Sequence, residues 1–463
     1  MTLMEGLLVF LIILSIYLIV VILLHRTGKL KKYNISLWGP ALMWRTERGK
    51  KLIERLAKNK KFWIKYANSG IIICFILMIL MFLLLAFTFP IALEQEDTIV
   101  SSRPQIALGL PGLNPIIPLW YGILGFIVAI IVHEFSHGIL SRVGDLKVKS
   151  LGLLYFIIPI GAFCEPEEEE LKKTSIKKRM RVFAAGPTAN IVTAFFCLAL
   201  ISLILFAFVQ PAADGVGVIS SVEDMPADDL GIKPGMIITS INGSKINNIS
   251  DFSTTMDNTM ANQTVEISYV YGRETFTENI KLTDKYQVLY QIMLEEYGFV
   301  NTSLISDFKG KGYLGVSATT QFKNDLSILT NPLQNFPFGF IYYIALPIFS
   351  LLEGYSPLIS PFSDYYVVNN FIPVDVFWII INSLYWIFWF NFMVATFNVL
   401  PMIPLDGGYI FRDMIDSSLR KLKKNLSDDK REKIIRNVST AVSLLMLILV
   451  LSPIIIPNLR GLF

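Results

Sequence analysis

Six long apolar runs constrain the fold of this chain more than any other feature. Each is long enough to cross the hydrocarbon core of a bilayer as a helix, which takes about 20 residues. The runs are Leu3–Leu24, Gly70–Leu93, Pro118–Leu140, Phe183–Val209, Phe377–Pro404 and Val438–Pro457. We therefore predict a polytopic α-helical membrane protein with about six spans.

Composition and charge agree with this prediction. Hydrophobic residues make up 53% of the chain and charged residues only 17%, which excludes an ordinary soluble globule. The basic residues cluster in the connections after the first, third and fifth runs, so the positive-inside rule makes these connections cytoplasmic. Both termini then lie outside, and the chain is a multi-pass protein of the cell membrane. Such clusters suit cytoplasmic loops better than a nucleic-acid surface, so we expect no nucleic-acid partner.

The connection after the first run is strongly basic from Arg26 to Lys65. Its second half, residues 45–65, mixes this charge with large apolar side chains such as Ile53 and Trp63. This mixture is typical of a basic amphipathic helix on the inner leaflet. A plain solvated basic loop is the alternative, and the sequence leaves both open.

The third run carries three polar side chains within little more than one helical turn: His133, Glu134 and His137. Residues four apart share one face of a helix, so the two histidines can offer their imidazole nitrogens to one metal ion. Glu134 beside them can hold and deprotonate a water. A strongly polar group near the bilayer centre costs about 2.5–3.5 kcal/mol on insertion scales. Two core histidines beside a chance glutamate would leave that cost unexplained, so the motif predicts a zinc-hydrolase site at membrane depth.

A catalytic zinc ion usually takes three protein ligands, and Asp406 is the candidate for the third. It lies at the cytoplasmic end of the fifth run, the depth that the topology gives to His137. Nearby prolines and glycines would unwind the helix and let the carboxylate turn inward; they are Pro401, Pro404, Gly407 and Gly408. The alternative is that Asp406 caps a following helix, Tyr409–Leu419. The matching depth favours the ligand role.

The segment Leu151–Glu165 is apolar and rich in β-forming residues, but Gly and Pro interrupt it and it is too short to span. Irregular backbone at membrane depth is tolerated only where protein or a water-filled cavity satisfies it. We therefore predict a re-entrant β-hairpin beside the metal site.

From Gln210 onward the composition becomes that of a soluble domain. Ile241-Asn242-Gly243 reads as a hairpin-type turn between strand-like segments. We predict a small α+β domain outside the membrane over residues 210–335. The apolar stretch Phe338–Glu353 is too short for a full span in this topology, so residues 336–376 are expected to be interfacial or re-entrant.

Three membrane motifs together resemble the site-2 protease family of intramembrane zinc metalloproteases. They are His133-Glu134-Phe135-Ser136-His137, Gly186-Pro187-Thr188-Ala189-Asn190 and Asn398-Val399-Leu400-Pro401-Met402-Ile403-Pro404-Leu405-Asp406-Gly407. The outer domain, with Gly231-Ile232-Lys233-Pro234-Gly235, resembles the PDZ domain that many members carry. The resemblance covers about residues 118–411. It implies an enzyme that cleaves transmembrane helices of single-span proteins.

The resemblance also implies roles for single residues. His133, His137 and Asp406 would bind one zinc ion per chain, with Glu134 as the general base. Asn398 would stabilise the substrate backbone or the oxyanion, and Asn190 would help to pack or polarise the site. The hairpin would present a strand edge to an unwound substrate helix. The PDZ-like domain would bind a newly made carboxyl terminus or act as a size filter.

These inferences divide the chain into six segments. They are two N-terminal spans with a basic loop (1–117), the first part of the catalytic core (118–209), the PDZ-like domain (210–335), the interfacial segment (336–376), the second part of the core (377–411), and a basic segment with the final span (412–463).

Two other classes of function compete with the protease. A catalytically inactive, PDZ-bearing membrane scaffold would have no use for Glu134. A zinc transporter would need ligands at several depths, whereas the only histidine outside the motif is His25.

Overall fold

The structure is a computed structural model that describes residues 3–47, 49–94, 106, 109, 111–156, 158–334, 336–369, 372–423 and 426–460. The chain forms two compact units. The first comprises Met1–Cys197 and Trp386–Phe463, and the second comprises Leu198–Tyr385.

Helices and a small sheet make up the N-terminal part of the first unit. In chain order the elements are α1 (Leu3–Arg26), α2 (Lys29–Lys32), β1 (Ile35–Trp38), β2 (Ala41–Thr46), α3 (Lys50–Ala57), α4 (Lys60–Glu94), α5 (Leu119–Val143), β3 (Val148–Phe156), β4 (Ile158–Pro166), α6 (Glu168–Lys173) and α7 (Ile176–Phe208). The boundary with the second unit falls inside α7.

The second unit contains most of the strands. Its elements are β5 (Val209–Pro211), β6 (Val216–Ser221), α8 (Pro226–Asp229), β7 (Ile237–Ile241), β8 (Ser244–Lys245), α9 (Ile249–Asp257), β9 (Thr264–Tyr271), β10 (Glu274–Lys281), β11 (Thr283–Asp284), α10 (Lys285–Tyr297), β12 (Gly312–Tyr313), β13 (Val316–Thr319), α11 (Gln321–Thr330), α12 (Phe338–Glu353), β14 (Tyr366–Val368) and the start of α13 (Val374–Asn398). Three short 3₁₀ turns complete it, at Thr302–Leu304, Ser306–Phe308 and Phe362–Tyr365. The chain then returns to the first unit with α14 (Asp406–Leu422) and α15 (Asp428–Arg460).

Among the described residues, five helices are long and apolar enough to cross a membrane: α4, α5, α7, α13 and α15. They coincide with five of the six predicted spans. The first predicted span forms α1, whose described side chains make only a shorter apolar helix from Leu14 to Arg26. A sixth span therefore stays a prediction.

The amphipathic helix and the solvated loop were alternatives for residues 45–65 of the basic connection, and the residues before them carried no prediction of secondary structure. Residues 35–46 form the antiparallel hairpin β1–β2, which turns at Gly39 with a φ of +59° and at Pro40. The helical prediction holds further on, where α3 buries Ile53 and Ala57 against Leu140 of α5. The burial of these two apolar side chains therefore holds α3 against the first unit.

The predicted hairpin over 151–165 is present as β3 and β4, which pair antiparallel with Leu153 opposite Ala162. β2 pairs with the other edge of β3, so the sheet order is β1-β2-β3-β4. β4 therefore lies at an edge, and no further strand of the described chain pairs with it. Whether the hairpin re-enters the membrane stays a prediction.

The second unit is built on a sheet of order β10-β9-β7-β6-β13, with β8 added to β7. One face of the sheet forms an aliphatic core around Val218, Ile238, Ile241 and Ile267, all completely buried. This burial stabilises the small α+β fold that the composition of the segment predicts.

Candidate active site

Two elements of the first unit bring the predicted metal ligands together. His133 and His137 lie one turn apart on α5, both buried, with ring centroids 4.7 Å apart. Asp406 is the first residue of α14, and its Oδ2 atom lies 3.0 Å from Nε2 of His133 and 3.3 Å from Nε2 of His137. Three donor atoms thus converge on one point, although Asp406 lies more than 260 residues after the two histidines.

The helical conformation is interrupted between α13 and α14, and this interruption places Asp406 beside the histidines. α13 ends at Asn398, and the prolines that follow prevent a continuous helix. Gly407 makes the close turn possible, because a Cβ atom there would lie 2.1 Å from the carbonyl oxygen of Val399. The alternative role of Asp406 as a helix cap is wrong: Leu405 occupies the N-cap position, and the Asp406 carboxylate faces the histidines.

Gly186 of α7 lies directly against the two imidazoles. A Cβ atom on this residue would come within 2.5 Å of Nε2 of both His133 and His137. Small and polar residues such as those of the motif that starts at Gly186 let membrane helices approach closely, but the sequence did not predict that this glycine faces the two histidines. A glycine in a helix interior destabilises the helix by about 1 kcal/mol relative to alanine. Its presence there is therefore a signal that another group packs closely against the helix at this position.

Hydrogen bonds from neighbouring elements orient the motif. Nδ1 of His137 lies 2.7 Å from the carbonyl oxygen of Val182, a pairing that leaves Nε2 free to bind a metal. Ser136 donates to the carbonyl oxygen of Ala185 at 2.9 Å and fixes α5 against α7. Nδ1 of His133 is buried and has no hydrogen-bond partner among the described residues.

Glu134 connects the motif to the sheet. Its Oε2 atom accepts a hydrogen bond of 2.8 Å from the backbone N–H of Cys164 in β4. Ligand atoms of His133, Glu134 and His137 all lie within 4.8 Å of one another. The carboxylate is therefore near the histidines and is held by the edge strand.

The two predicted asparagines occupy different environments. Asn398 is half-buried at the end of α13, and its amide donates to the carbonyl oxygen of Val394 one turn earlier. Asn190 of α7 is completely buried, and neither of its amide atoms has a hydrogen-bond partner within the described part of the chain. No described contact joins either amide to Asp406 or to the histidines.

The three converging donors fit a zinc ion. Zinc–nitrogen and zinc–oxygen bonds of about 2.0–2.2 Å in a tetrahedron put the donor atoms about 3.3–3.5 Å apart. The observed separations from Asp406 Oδ2 are 3.0 and 3.3 Å. Two imidazoles and one carboxylate are also a donor set found in catalytic zinc sites.

The second unit contains a separate groove between α9 and β13. It encloses about 260 Å³ and is lined by apolar side chains of Phe252, Met256, Leu314 and Val316, and also by Lys285. Sequence reasoning named no peptide-binding residue in this domain.

Comparison with known proteins identifies the family. The family model described as "Peptidase family M50" matches residues 121–447. The chain is 27% identical over 424 residues to an uncharacterized protein of Methanocaldococcus jannaschii, covering 89% of this chain and 87% of that one. It is 25% identical over 333 residues to a putative zinc metalloprotease of Clostridium perfringens, covering 65% of this chain and 88% of the relative.

Two further similarities are more partial. The zinc metalloprotease RasP of Shouchella clausii is 21% identical over 283 residues, covering 60% of this chain and 61% of the relative. The crystal structure of the PDZ domain of an SdrC-like protein from Listeria monocytogenes matches with a TM-score of 0.18 and 23% identity, covering 24% of this chain and 94% of that domain.

The family match spans well over half of the chain, including both histidines, Glu134 and Asp406. The resemblance noted from the three sequence motifs is thereby confirmed. This chain belongs to peptidase family M50, the site-2 protease family, and is a membrane zinc metalloprotease.

Proposed function

We propose that this protein is an intramembrane endopeptidase that cuts the transmembrane helix of single-span membrane proteins. His133, His137 and Asp406 would hold one zinc ion per chain. The observation that carries the proposal is the convergence of these three donors beside Glu134, where both histidines and Glu134 lie on α5, a helix apolar enough to cross a membrane.

Glu134 would act as the general base. When bound, zinc supplies a Lewis acid that polarises the scissile carbonyl and lowers the pKa of water toward about 7. Glu134 would take one proton from the attacking water and deliver it to the amide nitrogen as the C–N bond breaks, so that each cut consumes one water. The Cys164 N–H holds Oε2 of Glu134, and among the described residues no hydrogen-bond partner occupies Oε1.

β4 would hold the unwound substrate. A transmembrane helix hides its amide groups in its own hydrogen-bond ladder and must open before it is cut. The free edge of β4 would supply new backbone partners by strand addition. Because β4 also holds Glu134, a substrate strand on this edge would lie close to the base. Asn398 would turn from its own helix to the substrate backbone or the oxyanion, and Asn190 would polarise or pack the site.

The orientation in the membrane follows from charge. The basic connections would be cytoplasmic, so the active site would lie near the cytoplasmic side and the α+β domain outside. This PDZ-like domain would either exclude bulky substrates or bind a carboxyl terminus. The groove between α9 and β13 supports the binding role, because it could hold a peptide. If the domain binds a C-terminal peptide and this binding is lost when the peptide's carboxyl terminus is amidated, the binding role is favoured over the size filter.

The experiment compares purified wild-type protein with Glu134→Gln on a single-span reporter in detergent, with zinc measured in both. We expect equal zinc contents and cleavage by the wild type alone, at a position inside the apolar segment. Zinc in both proteins with cleavage by the variant would refute the role of Glu134. A protein that binds zinc but cuts no transmembrane reporter would favour the scaffold.

A further inference from the structure

The second unit contains a cavity that the proposed chemistry does not use. It encloses about 510 Å³ between the sheet, α11 and α12. Tyr342, Leu346, Phe349 and Glu353 follow one another along α12 at spacings of four and three residues, so they present one helix face to it. The volume is that of a site for a side chain or a small ligand.

A buried carboxylate lies at the floor of the cavity. Asp325 of α11 is completely buried. It accepts hydrogen bonds from the Tyr355 hydroxyl at 2.5 Å, from Nε2 of Gln321 at 3.1 Å, and from the Tyr342 hydroxyl. Burial raises the pKa of the Tyr355 hydroxyl, so its proton stays on the oxygen and points to Asp325.

These hydrogen bonds decide what the lining offers to a ligand. A tyrosine hydroxyl has one proton, and in Tyr342 and Tyr355 that proton is directed to Asp325. With those protons engaged, their oxygens can only accept hydrogen bonds from a ligand. Glu353 at the exposed rim adds a carboxylate, which also only accepts. Of the other polar residues in the lining, Gln321 directs its amide to Asp325, and Thr319 can both donate and accept. The three acceptors therefore favour a ligand that donates hydrogen bonds.

The carboxyl groups and the aromatic rings of the cavity also favour a cationic ligand. No lysine, arginine or histidine of the described chain lies within ion-pair distance of Asp325 or Glu353. The rings of Tyr342, Phe349 and Tyr355 line the same space, and the faces of such rings attract cations. A cation that donates hydrogen bonds and accepts none is the complementary group, which among side chains means lysine or arginine.

We propose that this cavity binds the ammonium or guanidinium group of a lysine or arginine on the substrate, in the segment that flanks its transmembrane helix outside the membrane. The proposal rests on the proposed function, because it assigns the cation to a single-span substrate. It adds a specificity site in the second unit that recognises charge.

The test measures binding without cleavage. Full-length Glu134→Gln protein in detergent is titrated with two fluorescent single-span reporters that differ only by lysine or glutamine in the outer flank, and fluorescence anisotropy gives their dissociation constants. We expect the lysine reporter to bind about tenfold more tightly. Glu353→Gln and Tyr342→Phe should each bring the two affinities together, whereas Glu296→Gln, an exposed change elsewhere in the same unit, should preserve the difference.

Equal affinities for the two reporters would overturn the proposal. A Glu353→Gln variant that weakens both reporters equally would overturn it too, because the effect would then be structural; thermal unfolding checks folding independently. If neither reporter binds, n-butylamine is titrated instead. Absence of saturable n-butylamine binding that depends on Glu353 would overturn the cation site. Binding of n-butylamine but of neither reporter would keep the cation site and overturn its assignment to a substrate. None of these binding measurements needs catalysis. Failure of the proposed protease function would therefore be seen separately, as absence of reporter cleavage by the wild-type protein.

Discussion

The contact between Gly186 and the two histidines gives a sharp test of the metal site. In Gly186→Ala the added Cβ would lie 2.5 Å from Nε2 of both imidazoles. Non-bonded carbon and nitrogen atoms keep about 3.5 Å apart, so α7 or both rings must move by about 1 Å. Zinc ligands tolerate displacements of only about 0.2 Å. We therefore expect zinc affinity to fall by about 100-fold, the upper end of what the loss of supporting groups causes.

The assay is chelator competition on purified protein, with zinc content from elemental analysis. Overpacking should also lower the free energy of unfolding by about 1–3 kcal/mol. Gly161→Ala in β4 is the matched control, because its Cβ would meet nothing closer than 3.5 Å and zinc binding should not change. A Gly186→Ala protein with the zinc affinity of the wild type would refute the argument, because the metal could not then lie between these histidines.

Three further predictions follow from the same geometry. Asp406→Ala should lower zinc content by elemental analysis, whereas the exposed Asp375→Ala should not; equal zinc in both would move the third ligand elsewhere. Asp413→Ala removes the carboxylate that binds Arg179 at 2.6 Å between α7 and α14, and among the described residues Arg179 keeps only its hydrogen bonds to the carbonyl oxygens of Lys172 and Thr174. The free energy of unfolding should fall by about 2 kcal/mol; an unchanged unfolding midpoint would contradict this. A chelator should abolish cleavage and lower the unfolding temperature, and added zinc should restore both. Zinc at a thousand times its dissociation constant stabilises the folded protein by about 4 kcal/mol. Cleavage that survives complete zinc removal would exclude a zinc mechanism.

The parts of the site that sequence could predict are those fixed by periodicity and depth. Two histidines four residues apart must share a helix face, and His133 and His137 do. Asp406 was placed beside them because both positions lie at one end of a span, and the prolines before it do interrupt the helix. Local rules and the thickness of a bilayer were sufficient for these inferences.

The contacts that sequence could not predict depend on tertiary packing. A glycine inside a helix signals a close approach, but only the packing of α7 on α5 shows that the approaching groups are the imidazoles of His133 and His137. The hairpin β1–β2 was missed because surrounding basic residues hid two short strands, although the Gly39-Pro40 turn between apolar runs was a usable signal. The bond from Cys164 to Glu134 likewise needs the register of β4 against α5.

The most direct measurement of the central claim is an anomalous difference map at the zinc absorption edge, from crystals of the full-length protein. We expect one peak per chain, about 2.0–2.2 Å from Nε2 of His133, Nε2 of His137 and a carboxylate oxygen of Asp406. A peak bound by other side chains, or no peak in crystals of an active preparation, would contradict the assigned metal site.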